Sequence, residues 1–491
     1  MCGIAGFIGK KNFSEKQIKK TLKLMYNRGP DNQDFFYFRN KDGNNVYLLA
    51  SRLSIVNQSK DSNQPLRIDN NIIIFNGEIY NILELRQKLK KLGVTIKTSS
   101  DTEIILRLYN LYGENCLKHM EGMWSFVIYN TKSNKFFMSR DRFGEKPFLY
   151  FANGNDLYFG SEFKFIQSLH EKKINVNLKQ VTNYLNLGYK SLYKFSEGFF
   201  ERVKEFPKSS YAYYETGKKL NFKSYWNINY KEDKDLTEHR AIRLTKEKLI
   251  DSLEKRINTK VPVGLCLSGG IDSVVLAYIV KKIFNKKIQT YSIVDRDIRY
   301  SEKNQIDKVV KDLQLDNKQI VVKKSNSLDK LDDLISYKSS PISTVNYFNH
   351  SLMMDKMKKD GIKVSLLGTA ADEIFGGYYD HYLLQIASLY QNQKKDLLKL
   401  QVEDFNKFTS KYIRNNELQN PYKYIKNPNS RNHIFDERIV INKFLHRPSK
   451  RRFFEKKYCS DILRNRMLNE LNCETTPVIL NEDDLNSMNV S

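Results

Sequence analysis

Near residue 215 the apolar pattern of this 491-residue chain changes character, and that change constrains the fold more than any other feature. Before it, short apolar runs recur between Gly, Asn and Asp: Gly3–Gly9, Val46–Ala50, Ile72–Phe75, Trp124–Tyr129, Lys135–Ser139 and Phe148–Phe151. Runs of that length bounded by turn formers read as strands. Amphipathic helices are expected near Glu15–Tyr26 and Thr102–Tyr112, packed outside sheets. Later the pattern becomes helix Arg240–Thr259, strand Val263–Leu267, helix Ser273–Ile283, strand Ile288–Ile293 and strand Lys363–Leu367. Long helices alternating with buried strands predict a parallel sheet with helical crossovers. From about Tyr379 the chain reads as mostly helical and basic. The length exceeds one ordinary core. Two domains, 2–214 and 236–491, are therefore expected, joined by a polar Lys-rich linker at 215–235 that contains Ser224-Tyr225-Trp226.

Composition excludes several classes. With 40% hydrophobic and 12% aromatic residues the chain is globular rather than disordered. A formal charge of +26 raises nucleic acid or an anionic membrane as partner, but only clustered cations serve that purpose. The lysines are instead spread along the chain, as at Lys16, Lys19, Lys20 and Lys23, so no nucleic acid is expected. The densest run, His446–Lys457, reads as a solvated helical face in preference to an anion or partner patch. Cys2, Cys116, Cys266, Cys459 and Cys473 form no CxxC pair, which fits a reducing, cytoplasmic setting. Neither a signal peptide nor an 18-residue apolar run is present, so no membrane association is expected.

The chain starts Met-Cys-Gly-Ile-Ala-Gly, and an initiator Met before a small residue is commonly removed. Cys2 would then carry both a thiol and a free α-amino group, whose pKa near 7.7–8.0 suits a general base. One residue supplies nucleophile and base. Four further segments follow in order: Asn27-Arg28-Gly29-Pro30-Asp31, Arg52-Leu53-Ser54-Ile55-Val56, Asn76-Gly77-Glu78-Ile79-Tyr80-Asn81 and Ser99-Ser100-Asp101-Thr102-Glu103. Singly each reads as a turn, a cap or a surface ion-pair residue. Together with Cys2 they resemble the class II glutamine amidotransferase domain, an αββα sandwich of the N-terminal nucleophile hydrolase type. The resemblance implies that Cys2 attacks glutamine while the Asn76 side chain and Gly77 N–H hold the oxyanion. It gives Arg52 to the α-carboxylate of glutamine and Asp101 to its α-ammonium, with Ile55, Val56 and Glu78 completing the pocket. Glu121-Gly122-Met123-Trp124, Arg140-Asp141-Arg142-Phe143-Gly144 and Gly160-Ser161-Glu162 also match and are expected to be scaffold or interface.

In the second half, Leu267-Ser268-Gly269-Gly270-Ile271-Asp272-Ser273 follows a buried strand and opens a helix. Glycines admit close backbone approach, and a helix N-terminus offers N–H groups to an anion. No GxxxxGK[ST] or GxGxxG motif occurs. The segment resembles the pyrophosphate loop of ATP-pyrophosphatases, and Leu366-Leu367-Gly368-Thr369-Ala370-Ala371-Asp372-Glu373-Ile374-Phe375-Gly376-Gly377-Tyr378 resembles the second hallmark of glutamine-hydrolysing asparagine synthetases. That family has an α/β parallel-sheet synthetase domain with helical additions. The resemblance implies that Ser268, Gly269, Gly270 and Ser273 hold pyrophosphate, Asp272 holds Mg²⁺, and Leu267 and Ile293 flank the adenine. Leu367 and Gly368 would approach the nucleotide, and Asp372 and Glu373 would lie near Mg²⁺ or the acceptor.

The implied activity uses glutamine, aspartate and ATP: aspartate is adenylated with release of pyrophosphate, and ammonia from glutamine converts it to asparagine. The resemblance also suggests a homodimer formed through the glutaminase domain. Departures occur where the family has an acidic residue and this chain has Thr369, Gly and this chain Ala370, Ser and this chain Val274, Asp and this chain Lys260, Gly and this chain Val294. The chain also stops at Ser491, short of the Glu-x-Arg-x-Pro-Phe-Leu-Asp stretch and later lysine region of the family, so a truncated synthetase domain is expected. The alternatives are amidation of another carboxylate, such as a uronic acid of a surface polysaccharide, and a glutaminase-only or non-catalytic regulatory homologue.

Overall fold

The computed structural model describes residues 2–297, 301–322, 327–431, 434 and 451–491. Two compact units result: Met1–Asn175 with Phe200–Gly368 and Leu480–Ser491, and Val176–Phe199 with Thr369–Ile479. The first unit begins with two antiparallel sheets. One has the order β10-β8-β9-β1-β3-β2, built from β1 (Gly3–Gly9), β2 (Asn32–Arg39), β3 (Asn45–Arg52), β8 (Leu149–Asn153), β9 (Asp156–Gly160) and β10 (Val203–Glu205). The other has the order β12-β11-β7-β6-β5-β4, from β4 (Leu66–Ile68), β5 (Asn71–Ile79), β6 (Gly122–Asn130), β7 (Lys135–Arg140), β11 (Ser210–Tyr214) and β12 (Asn221–Ser224).

Strand side chains alternate between faces, and here both faces are covered. Ile4, Ile8, Val46 and Leu48 of the first sheet meet Ile72, Ile74, Val127 and Tyr129 of the second. On the outer side of β1 and β3, Ala5, Phe7, Tyr47 and Leu49 pack on α1 (Glu15–Met25) and α4 (Phe163–His170). On the outer side of β5 and β6, Ile73, Phe75, Phe126 and Ile128 pack on α2 (Ile82–Lys91) and α3 (Asp101–Tyr112). The layers therefore run helix, sheet, sheet, helix, as the resemblance implied. Double burial explains why β1 reads as one continuous apolar run rather than an alternating one.

The same unit contains a parallel sheet in the order β15-β14-β13-β16: β13 (Val263–Cys266), β14 (Gln289–Val294), β15 (Asp316–Val321) and β16 (Val364–Leu366). Around it lie α6 (Glu238–Ile257), α7 (Ile271–Tyr278, extended by a π-turn over Ile279–Ile283), α8 (Lys303–Leu313), α9 (Ser327–Lys338) and α10 (Val345–Lys359). Leu253, Leu265, Ala277 and Val280 form the core on one face, and Cys266, Tyr291, Met353 and Met357 that on the other.

The second unit is helical. It holds α5 (Leu178–Leu187), α11 (Ala371–Phe375), α12 (Tyr379–Gln391), α13 (Lys395–Asp404), α14 (Lys423–Lys426) and α15 (Ile462–Cys473), around Leu383, Leu384, Ile386, Phe405 and Tyr424. The last helix, α16 (Thr475–Asn489), ends in the first unit.

Two expectations need correcting. Within 215–235, Asn221–Ser224 is strand β12, paired with β11, so this stretch is partly sheet. Of the basic run His446–Lys457, His446–Lys450 lie outside the described residues, and the described part, 451–457, forms no helix. Arg451 instead grips Glu197 through both guanidinium nitrogens, at 2.6 and 2.9 Å. Glu455 pairs with Arg431 and Arg466, each at 2.7 Å, and Lys456 N–H donates to Asn469 at 2.8 Å. Side-chain and main-chain bonds to neighbouring segments have replaced helical ones.

At Gly6 in the middle of β1, an added Cβ would lie 2.3 Å from the Phe159 ring and 2.6 Å from the Tyr47 carbonyl oxygen. Gly6→Ala is expected to destabilise the first unit by about 1–3 kcal/mol, as overpacking does. A urea titration following tryptophan fluorescence should show a lower midpoint at unchanged slope; an unchanged midpoint would mean that β1 can shift away from its neighbours.

Candidate active site

Cys2 sits immediately before β1 and is buried in the wall of a pocket lined also by Arg52, Leu53, Ile55, Val56, Asn57, Gln64, Phe75, Gly77, Glu78, Ser100, Asp101 and Thr102. The structure thus brings Cys2, Arg52, Ile55, Val56, Gly77, Glu78 and Asp101 to one place from positions spread over about 100 residues of chain. Asn76 stands behind Cys2: its Oδ1 accepts the Cys2 N–H at 3.2 Å, while its Nδ2 is buried with no hydrogen-bond partner. An unspent buried amide donor beside a thiol is what an oxyanion needs. Gly77 is required sterically, since a Cβ there would lie 2.1 Å from the Met123 carbonyl oxygen on β6.

Local geometry explains the motif order. Gly29 lets the turn at Tyr26–Arg28 run against β3, where a Cβ would come within 2.3 Å of Arg52 N, and Pro30 bridges Arg52. Asp31 then accepts the Ser54 N–H at 2.7 Å, fixing the loop after β3. The Arg52 guanidinium closes that loop through Asn63 Oδ1 at 2.9 Å, Ser59 O at 3.2 Å and the carbonyl of Asn57. Asp101 opens α3 under its N-cap Ser100, and its Oδ1 accepts Thr102 N–H at 2.9 Å.

Electrostatics set the pocket apart. Burial pushes the Asp101 carboxyl up to about 6, against the pull of N–H bonds from Ile79 and Thr102 and of nearby Arg52. Glu78 rises to about 7, first through burial and then through Asp101. Burial also raises the Cys2 thiol, against the pull of the Leu53 N–H and of Arg52.

The second cluster surrounds the sheet β15-β14-β13-β16. Chain order reverses between β14 and β16 on either side of β13, and in open α/β sheets ligands bind beyond the C-terminal ends of the strands at such a reversal. Leu267, Ser268, Gly269 and Gly270 follow β13, Leu367 and Gly368 follow β16, and Ile293 lies near the end of β14. Ser273 Oγ accepts Ser268 N–H at 3.1 Å and donates to Gly270 O at 3.0 Å, folding the loop onto the start of α7. No side chain caps α7 at Gly270, so its first-turn N–H groups suit an anion. Gly368 lies against Asp272, where a Cβ would come within 3.0 Å of the Asp272 Cβ. Asp272, in the first turn of α7, offers a carboxylate beside the loop.

Asp372 and Glu373 fall in the second unit, on α11. Tyr378 donates to Glu373 at 2.9 Å, and a Cβ at Gly377 would lie 1.7 Å from Asp372 Oδ1. Ala370, the N-cap of α11, has φ of 73°, a left-handed conformation natural to glycine. In the same unit Asp380, His381 and Glu470 converge closely enough for a metal, but Arg466 lies 2.7 Å from Asp380 and Lys190 2.7 Å from Glu470, so cations already neutralise them.

Sequence reasoning gave no role to several residues that hold the pocket. Gln64 lines it, accepts Phe75 N–H at 2.6 Å and donates to Thr102 at 3.3 Å, with no pattern to signal it. Arg28 lies within the Asn27–Asp31 motif, yet its bond to the Cys2 carbonyl at 3.1 Å is visible only in the fold. Asp141, in the segment expected to be scaffold, accepts N–H groups of Trp124, Phe143, Glu145 and Lys146.

Residues 1–226 match the glutamine amidotransferase domain family, and residues 244–474 match asparagine synthase. A Methanocaldococcus jannaschii protein provisionally named a glutamine-hydrolysing asparagine synthetase is 32% identical over 404 residues, 78% of this chain and 76% of that one. Asparagine synthetase 1 of Bacillus subtilis is 29% identical over 385 residues, 77% of this chain and 59% of that protein. Asparagine synthetase B of Escherichia coli is 27% identical over 428 residues, 82% and 70% of the two chains. The sandwich ending in a buried thiol, the phosphate-type loop and these likenesses place the chain in the glutamine-hydrolysing asparagine synthetase family.

Proposed function

We propose that this chain hydrolyses glutamine at Cys2 and uses the ammonia, with ATP, to convert aspartate to asparagine. The observation that carries the glutaminase half is the convergence of Cys2, the unspent Asn76 amide, Arg52 and Asp101 on one pocket. Arg52 and Asp101 would take the carboxylate and ammonium of glutamine. After removal of Met1 the Cys2 amine would take the thiol proton, and the thiolate would attack the side-chain carbonyl. The developing oxyanion would be held by Asn76 Nδ2 and Gly77 N–H. Ammonia leaves, and water releases glutamate from the Cys2 thioester.

In the other half, the loop Ser268–Gly270 with Ser273 would hold the β and γ phosphates of ATP, Leu267 and Ile293 the adenine, and Leu367 and Gly368 would approach the nucleotide. Asp272 fits a magnesium nucleotide, because its carboxylate stands beside the uncapped start of α7. Bound Mg²⁺ would neutralise charge on the departing pyrophosphate. Asp372 and Glu373 are proposed for the acceptor or the metal. Adenylation is needed because a carboxylate is a poor electrophile. Leu53 and Ile55 of the pocket wall pack on Val261 and Val364, so the glutaminase pocket abuts the N-terminal ends of β13 and β16 through apolar contacts. Ammonia leaving the pocket would have roughly a strand length to cross to the loop after β13, ~13 Å for four residues. The five cysteines, all unbonded, support a cytoplasmic setting. No described helix is long and apolar enough to cross a membrane.

Pyrophosphate release from Mg-ATP with ammonium, measured with and without aspartate, tests the acceptor. Aspartate-dependent release is expected. None, with glutaminase activity intact, would redirect the reading to another carboxylate or to a glutaminase-only protein. Cys2→Ala should abolish glutamine-dependent synthesis and spare ammonium-dependent synthesis, and Asp272→Asn should abolish pyrophosphate release while leaving glutamine hydrolysis. Binding the glutamine ammonium needs Asp101 ionised, and the ionised fraction grows as pH rises through about 6. KM for glutamine should therefore fall between pH 5 and 7, and Asp101→Asn should raise KM and flatten that profile; a parent KM independent of pH would remove Asp101 from the binding role.

A further inference from the structure

Arg28 is fully buried and its guanidinium is shared among three acceptors. Nε donates to the Cys2 carbonyl at 3.1 Å, Nη1 to Glu162 Oε1 at 3.0 Å, and Nη2 lies 2.9 Å from Asp484 Oδ2. Lys146 completes the cluster at 2.9 Å from Asp484 Oδ1, and Lys164 stands 2.6 Å from Glu162 Oε2. Both carboxylates are tied to the half of the chain beyond residue 236. Glu162 accepts the hydroxyl of Tyr337, from the last turn of α9, at 3.1 Å. Asp484 lies on α16, whose residues 482–486 the α9–α10 region holds: Ser343 N–H and the Thr344 hydroxyl donate to Glu482 at 3.1 and 3.3 Å, His350 bonds Asp483 at 3.1 Å, and Asn486 donates to the Tyr347 carbonyl at 2.9 Å.

We infer that Asp484 and Tyr337 are positioning residues for the Cys2 nucleophile, acting through Arg28. As the first residue of the mature chain, Cys2 has covalent attachment on one side only. Its orientation then depends on its polar contacts: its nitrogen on Asn76, its carbonyl on Arg28 and its thiol on the Leu53 N–H. A guanidinium without water keeps its place only while its carboxylate partners balance it. Removing charge at Asp484 draws Arg28 toward Glu162, and removing the Tyr337 hydroxyl frees Glu162 to follow. Either change loosens the hold on the Cys2 carbonyl, and misplacement of a nucleophile by about 1 Å can cost on the order of 100-fold in rate. Arg52 and Asp101, proposed to bind glutamine, contact neither residue. The loss therefore belongs in kcat and in thiol reactivity, not in KM.

The inference rests on Cys2 as the glutaminase nucleophile, and the test separates the two. In the full 491-residue chain, Asp484→Asn and Tyr337→Phe are compared with the parent in glutamine hydrolysis and in the rate at which iodoacetamide alkylates Cys2, read by peptide mass spectrometry. Expected are a kcat about tenfold lower for Asp484→Asn and about threefold lower for Tyr337→Phe, with KM within about twofold and a matching change in alkylation rate. Unchanged kcat and alkylation in a folded Tyr337→Phe would overturn the inference, as would a rise in KM at unchanged kcat in either variant. If Asp484→Asn fails to fold, Tyr337→Phe, which deletes one oxygen, decides alone. A parent that hydrolyses no glutamine would overturn the glutaminase reading, while the alkylation rates would still report whether the two residues position Cys2.

Discussion

The face-to-face packing of two antiparallel sheets is the constraint from which the pocket follows. Cys2 heads β1 of one sheet and Asn76 lies on β5 of the other, so the 3.2 Å bond between them exists only while Ile4, Ile8 and Leu48 interdigitate with Ile72, Ile74 and Val127. Interiors packed at crystal-like density resist sliding, because a shift opens voids on one side and clashes on the other. Gly6 and Gly77 show how little slack is present: each sits where a single added carbon would meet a neighbouring carbonyl oxygen within 2.6 Å. The thiol at the start of β1 is thus fixed by a core dozens of residues away from it in sequence.

Charge inside that core obeys the same economy of space. Arg28, Lys146, Glu162 and Asp484 are all buried, and each is paired, since an isolated ion there would be far costlier than a paired one. Asp484 is accordingly held below the usual carboxylate range by Arg28 and Lys146, despite burial. Asp101 and Glu78 show the opposite balance. They face a pocket rather than a matched cation, and burial drives both upward. In the pocket, the raised carboxylates stand where a charge from outside would be received, whereas the charge of Asp484 is already answered within the fold.

What could be read from the sequence divides along this line. Strands β1, β3, β5, β6 and β7 were readable because burial on both faces leaves uninterrupted apolar runs. Strand β2 (NQDFFYFR) and strand β15 (DNKQIV) were not, since an edge strand has less to bury and its polar residues resemble loop. Strand β12 lay hidden in a stretch read as linker for the same reason. In the pocket, Arg52, Asp101 and Cys2 announced themselves through motif order. Gln64 and Asp484 did not, because their roles come from bonds to residues 11 to 456 positions away, which no local pattern encodes. The basic run misled in a different way: its composition fits a solvated helix, but Glu197, Asn469 and the pair Arg431 and Arg466 compete for its side chains and backbone.

The two halves also differ in how their chemistry is secured. The phosphate-type loop is local: Ser268, Gly270 and Ser273 bond one another within five residues, and the uncapped turn of α7 follows directly. Such a loop keeps its geometry wherever its strand and helix are intact. The thiol pocket draws on β1, β3, β5, the loop after β3 and α3, and Arg28 at its back leans on α16 near the end of the chain. A local site tolerates distant change, and a distributed one transmits it. The thiol held through long-range ion pairs is therefore exposed to changes in the segments that supply them, whereas the hydrogen bonds that shape the phosphate-type loop stay within five residues.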